Sequence, residues 1–300
     1  MLARLDPMSE PAIRIEGLRK HYGDLAAVDG LDLEIPQGEV FALLGPNGAG
    51  KSTTVEILEG FRKRTAGDVT VLGADPQHAT KGWRSRLGIM LQGTSEHGAL
   101  TARESLRYAA SLYAHPRDVD ATLDAVGLAE KAGAKPATLS GGQRRRLDVA
   151  LAVIGRPELV FLDEPTTGFD PEARRQFWTL IESLREDGTT ILLTTHYLDE
   201  ADHLADRIGI IAAGRMVALD TPGGLRSRAA DARVTWTEAG TSRTEETATP
   251  TALLREILAR TEGEVEGLEV VHPSLEDVYL QLIGEAAGTA GTSQAEGAAA

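Results

Sequence analysis

Residues 40–59 read VFALLGPNGAGKSTTVEILE, and this stretch decides the fold. Val40 to Leu44 is an unbroken apolar run, the pattern of a short strand buried on both faces, and Thr54 to Glu59 reads as helix. Between them stand Gly45-Pro46-Asn47-Gly48-Ala49-Gly50-Lys51-Ser52-Thr53. Strand, glycine-rich turn and helix in that order is the setting a P-loop requires. Only a backbone free of side chains can turn its N–H groups inward around phosphate oxygens, at the positive end of the following helix. Lys51 then brings a mobile point charge to the β- and γ-phosphates, and the Ser52 hydroxyl is a ligand for Mg²⁺. A glycine-rich surface turn is the competing reading, and the flanking strand and helix speak against it. The loop alone leaves open a kinase, a GTPase or a motor.

Two more apolar runs, Leu159 to Leu162 and Ile191 to Leu193, are each followed within a few residues by polar turn residues and a helix-like segment. Together with Val40 to Leu44 they predict a parallel α/β sheet. Asp163 and Glu164 end the second run. On a strand lying beside the P-loop strand, Asp163 can hold Mg²⁺ through water. Glu164, one residue on, is placed to polarise a water molecule for attack on the γ-phosphorus. Ala12 to Glu16 and Leu31 to Ile35 predict a small antiparallel addition. Thr101 to Leu139 carries helical segments and no convincing strand, so a helical insertion of about 93–145 is expected. After Thr221-Pro222-Gly223-Gly224 the composition shifts: residues 221–300 hold 13 acids and 6 arginines, a local charge of −7. The expected organisation is therefore a first domain over 1–220, a small α+β accessory domain over 221–284 and a disordered tail over 285–300.

Composition narrows the function classes. The 300 residues are 42% hydrophobic and 25% charged, the balance of a globular protein with a sizeable core. Cysteine is absent, which removes disulfides, thiolate metal sites and cysteine nucleophiles. A net charge of −14 repels phosphate backbones, and at 4% aromatics a stacking platform for single strands is not expected, so no nucleic-acid partner is expected. The apolar run Val149 to Ile154 is far short of the roughly 20 residues that cross a bilayer. The first residues, MLARLDPMSEPAIR, lack the hydrophobic region of a signal peptide, and a cytoplasmic location is expected.

Leu139-Ser140-Gly141-Gly142-Gln143 opens the helix expected over Arg144 to Ile154. Alone it is a helix N-cap. Beside the P-loop and Asp163-Glu164, it closely resembles the LSGGQ signature of the nucleotide-binding subunits of ATP-binding cassette (ABC) transporters, and the resemblance covers residues 13 to about 220. It implies a P-loop NTPase cassette with a mixed sheet and a helical insertion, using ATP and Mg²⁺ as an ATPase. By the same resemblance Gln92 looks like the Q-loop glutamine that touches Mg²⁺, and His196 like the switch histidine that contacts the γ-phosphate. Asp170 matches the D-loop aspartate, with Phe169 standing where leucine is usual. Tyr22 resembles the aromatic on which adenine stacks, a core tyrosine being the alternative. Two such subunits close head to tail, so that Ser140, Gly141, Gly142 and Gln143 of one chain meet the ATP on the P-loop of its twin. The cycle drives a membrane permease, here a separate polypeptide, and places this chain on the inner face of the membrane. Pro273-Ser274-Leu275-Glu276-Asp277-Val278-Tyr279 resembles the terminal motif of drug-, antibiotic- and polysaccharide-type exporters, notably the daunorubicin-resistance branch; an amphipathic packing helix is the alternative there.

Rival readings remain. A soluble ABC-type ATPase acting on nucleic acid or in translation is the alternative function, and a non-hydrolytic ATP-gated regulator a third. His196, Asp199, Glu200, Asp202 and His203 imitate a metal cluster, which a solvated helix face explains better. Arg144, Arg145 and Arg146 read as a solvated or sheet-covering patch.

Overall fold

In a computed structural model of the protein, the described residues are 10–90, 100–228, 232–238, 240–261, 263–271 and 273–285. Gln92 and residues 286–300 of the tail expected over 285–300 lie outside them, while Glu285 ends the last described helix. The chain forms two compact units, residues 1–217 and 218–300.

The first unit is built on two sheets. One is three-stranded and antiparallel, with β1 (Ile13–Tyr22) between β2 (Leu25–Ile35) and β4 (Ala66–Val71). The other contains β3 (Val40–Leu44), β5 (Leu87–Met90), β6 (Leu159–Asp163), β7 (Thr190–Thr194), β8 (Arg207–Ala212) and β9 (Arg215–Asp220), in the order β5-β6-β7-β3-β8-β9. From β5 through β8 every neighbouring pair runs parallel. All five residues of β3 and of β7 are buried, as strands covered on both faces must be. Phe41 and Phe161 are among the largest fully buried side chains, so the centre of this sheet is the core.

One expectation of position is corrected. β6 does not lie beside the P-loop strand: β7 stands between β3 and β6. In a parallel sheet the crossovers decide the order, and sequence neighbours need not be spatial ones. The carboxyl ends of β3, β6 and β7 still open on the same edge, where α/β sheets bind ligands.

The helices of this unit include α1 (Lys51–Leu58) after β3, α3 (Ala102–Ala110) and α4 (Val119–Ala125) in the helical stretch, α5 (Gly141–Val153) before β6 and α6 (Pro171–Glu186) after it. A short α2 (Lys81–Arg84) precedes β5, and α7 (Leu198–Leu204) follows β7. Gly88 explains how closely α5 lies on β5. A Cβ at that position would stand 2.3 Å from the Ala152 carbonyl oxygen, so any side chain would push the helix off the strand.

The second unit holds α8 (Pro222–Arg228), α9 (Pro250–Arg260), a helix over 275–285, and an antiparallel sheet with β10 (Ala232–Glu238) between β11 (Thr241–Thr247) and β12 (Glu269–Val271). Val234, Trp236, Leu253, Ile257 and Val265 form its core. In the terminal motif Ser274 Oγ caps the last helix by accepting from the Asp277 amide at 3.2 Å, and Leu275 and Val278 are buried, as an amphipathic packing helix requires.

Candidate active site

Gly50 caps α1 in the left-handed region, with φ 104°, and a Cβ there would stand 2.4 Å from the Ala27 carbonyl oxygen. Glycine is therefore required on steric grounds as well as conformational ones. The loop before it is closed by the Ala49 amide donating to Pro46 O at 3.2 Å. The Lys51 ammonium donates to Gly45 O at 2.6 Å and to Pro46 O at 3.1 Å, which fixes it over the loop. Burial pushes the Lys51 pKa down, and the nearby carboxylates of Glu164 and Asp163 oppose that shift. The ammonium stands among carbonyls and carboxylates, positioned to exchange them for phosphate oxygens.

At the end of β6 two carboxylates are held differently. The Thr194 hydroxyl on β7 donates to Asp163 Oδ1, and the two residues are register partners. The Glu164 amide donates to Thr194 O at 3.0 Å, and Glu164 itself lies in the left-handed region with φ 47°. Its Oε1 is 3.4 Å from Nδ1 of His196, which stands just past β7 with its ring 4.2 Å from that of Tyr197. Parallel pairing of β6 with β7 thus brings together residues 32 positions apart in the chain, a carboxylate and an imidazole that can hold and pass a proton.

The two carboxylates open on a cleft of about 900 Å³ whose walls also include Tyr22, Lys51 and Ser52, while His196 reaches it only through its contact with Glu164. Tyr22 is 40% exposed, with Lys20 Nζ 5.0 Å and Arg62 Cζ 5.4 Å from its ring centre, so it is not a core tyrosine. Asn47, Gly48, Ala49, Gly50 and Thr53 line the same cleft, beside Leu25, Ala27 and Thr167, which sequence reading did not single out. Backbone N–H groups, a helix N-terminus and an ammonium fit a polyphosphate. Mg²⁺ takes oxygen ligands and keeps water or phosphate in much of its shell; the Ser52 hydroxyl and Asp163 carboxylate share one wall and suit it. Among the described residues no group of three or more His, Cys, Asp or Glu could hold a metal ion alone. The His196 to His203 stretch is not wholly the solvated helix face expected: the His203 ring stacks 4.2 Å from that of Trp178, Asp199 pairs with Arg174 and Glu200 is buried.

The signature turn begins α5 with a complete capping box. Ser140 Oγ accepts from the Gln143 amide at 3.2 Å, and Gln143 Oε1 accepts from the Ser140 amide at 3.0 Å. Ser140 and Gly141 are exposed and Gly142 is half-buried. Gly141 and Gly142 reach the rim of their own chain's cleft, a placement sequence reading did not foresee. Asp170 does not line the cleft. It caps α6 by accepting from the Ala173 amide at 2.8 Å, a bond that, with the nearby Arg146, keeps its pKa low. Phe169 packs edge-on against Phe177, ring centres 6.1 Å apart.

The arginine patch is not a solvated one. Arg145 is half-buried, lines the cleft and donates to Asp163 O and Glu164 O, while Arg146 donates to Gly127 O at 3.2 Å and lies over the Phe169 ring. The signal was present in the sequence: three arginines in the opening turns of a helix oppose its macrodipole, so they need carbonyl or carboxylate partners.

Comparison with known proteins agrees with this geometry. The family described as "ABC transporter" matches residues 28–167. The daunorubicin/doxorubicin resistance ATP-binding protein DrrA of Streptomyces peucetius is 39% identical, over 95% of this chain and 96% of its own length. The linearmycin resistance ATP-binding protein LnrL of Bacillus subtilis is 38% identical, over 72% of this chain and 71% of its own. Among solved structures, an ATP-binding cassette in a dimeric, post-hydrolysis state with ADP and Pi is 25% identical with a TM-score of 0.64, over 70% of this chain and 98% of that one. An ATP binding subunit of an ABC transporter is 26% identical with a TM-score of 0.66, over 72% and 92%. The chain belongs to the ABC transporter family, as one of its ATP-hydrolysing, ATP-binding subunits.

Proposed function

We propose that this chain powers a separate membrane permease that exports a drug-like or lipid/polysaccharide-type compound, working as a head-to-tail pair that clamps ATP between its two copies. The observation that carries the reading is full-length similarity to a daunorubicin resistance subunit, which takes in the second unit as well as the cassette. No helix among the described residues is long and apolar enough to cross a membrane, which fits a chain held at the inner face of the membrane through its permease.

Each site has a division of labour. The P-loop N–H groups and Lys51 bind the phosphates; Tyr22 stacks the base. Mg²⁺, when bound, would neutralise phosphate charge, held by the Ser52 hydroxyl, by Asp163 through water and by Gln92, which lies outside the described residues. Glu164 takes a proton from the attacking water, and His196 orients that carboxylate and the γ-phosphate. Ser140, Gly141, Gly142 and Gln143 of the partner copy, with Asp170 at the seam, complete the opposite wall. The alternative of a nucleic-acid ATPase gains no support from relatives named for drug resistance and for Nod factor export.

The test is efflux. Cells carrying the chain with its permease should lose ATP-driven export when Glu164→Gln replaces the wild type, at equal membrane-bound protein. Undiminished export in that variant contradicts the proposal.

A further inference from the structure

Glu164 occupies a backbone region that L-residues with side chains rarely adopt, φ 47°, and such a conformation persists where its surroundings over-determine it. Two contacts do so. On the amino side, the Glu164 amide donates to Thr194 O at 3.0 Å and approaches the Thr194 hydroxyl at 3.2 Å. On the carboxyl side, Nη2 of Arg145 donates to Glu164 O at 2.8 Å and also to Asp163 O. The peptide groups before and after Glu164 both have their carbonyls gathered by one guanidinium nitrogen. Arg145 Nε is buried, so the stem of this side chain is seated in the protein while the residue lines the cleft.

From this arrangement we propose that Arg145 is a positioning residue for hydrolysis: by gathering the Asp163 and Glu164 carbonyls it holds Glu164 in its left-handed conformation and aims the carboxylate toward His196 and the attacking water. The inference rests on the reading of Glu164 as the group that takes the proton. Without the guanidinium, the 163–164 and 164–165 peptides can relax toward ordinary conformations, and the carboxylate turns away from the line of attack. A displacement of about 1 Å at a reacting group costs on the order of 100-fold in rate, whereas nucleotide binding, which depends on the P-loop, does not need it.

Steady-state kinetics on the full chain separate the possibilities. Arg145→Ala is expected to lower kcat by roughly tenfold or more, with KM for MgATP and affinity for a fluorescent ATP analogue within about twofold of wild type. Guanidinium ion at non-denaturing concentration should restore part of the lost kcat in Arg145→Ala and none in Glu164→Gln. Arg145→Lys, which keeps the charge and stem without the planar fork, should fold and fall between wild type and alanine in kcat. Wild-type kcat in either arginine variant, or a raised KM at unchanged kcat, overturns the proposal; the second result would make Arg145 a nucleotide contact. Full turnover by Glu164→Gln in the same series would instead sink the underlying assignment of Glu164.

Discussion

Glu59 ends α1 nearly buried, 7% exposed, on the wall of a side pocket shared with Ser52 and Asp163. Burial, and then the negative charges of Asp163 and Glu56, push its carboxyl up from 4.5 to about 8. Between those two values the unfolded chain releases this proton while the folded chain keeps it. Stability contributed by Glu59 is therefore greatest at and below about pH 4.5 and falls as pH rises toward 8. Glu59→Gln, neutral throughout, should raise the thermal midpoint relative to wild type at pH 8 and leave the two nearly equal at pH 4.5. Equal midpoints at both ends of that window would contradict it. At this scale Lys51, Ser52 and Glu164 were legible because they stand in or beside a short local motif. The binding partners of Arg145 were not, since the Glu164 carbonyl that it reaches is 19 residues away along the chain. Its contact depends on how α5 lies across β6.

Between elements, two helices of the first unit that open with capping boxes give a controlled comparison. Thr101 caps α3 and Ser140 caps α5, each with a reciprocal partner three residues on, Glu104 and Gln143. Alanine at either position removes the same type of bond and should cost about 1 kcal/mol of stability. If Ser140 also faces a partner's nucleotide, only Ser140→Ala will lower the ATPase rate, and Thr101→Ala will hydrolyse ATP as wild type does. Denaturant unfolding and phosphate release measured on both variants decide this; an equal rate loss in both would reduce Ser140 to a cap. Strands β3, β6 and β7 could be read directly, because burial on both faces leaves unbroken apolar runs. Strand β11 could not: TSRTEET exposes nearly every side chain, and only pairing with β10 makes it a strand. Sheet order was equally hidden, since the placement of β7 between β3 and β6 is a property of crossovers and not of any one segment.

Over the whole molecule, the proposed function turns on a site that two copies would complete between them. Ser140 is exposed at the start of α5, and neither it nor Asp170 lines its own chain's cleft, although Gly141 and Gly142 do. The sequence announced that arrangement only through resemblance to a family; no composition or periodicity encodes a second copy. The most direct measurement is the mass of Glu164→Gln in solution with MgATP, by sedimentation or light scattering. The account predicts a species of twice 31.9 kDa that forms with ATP, persists because hydrolysis is blocked, and is lost when Gly142→Arg obstructs the signature turn. A chain that binds ATP tightly, hydrolyses it at full rate as wild type, and stays at 31.9 kDa under every nucleotide condition would contradict it.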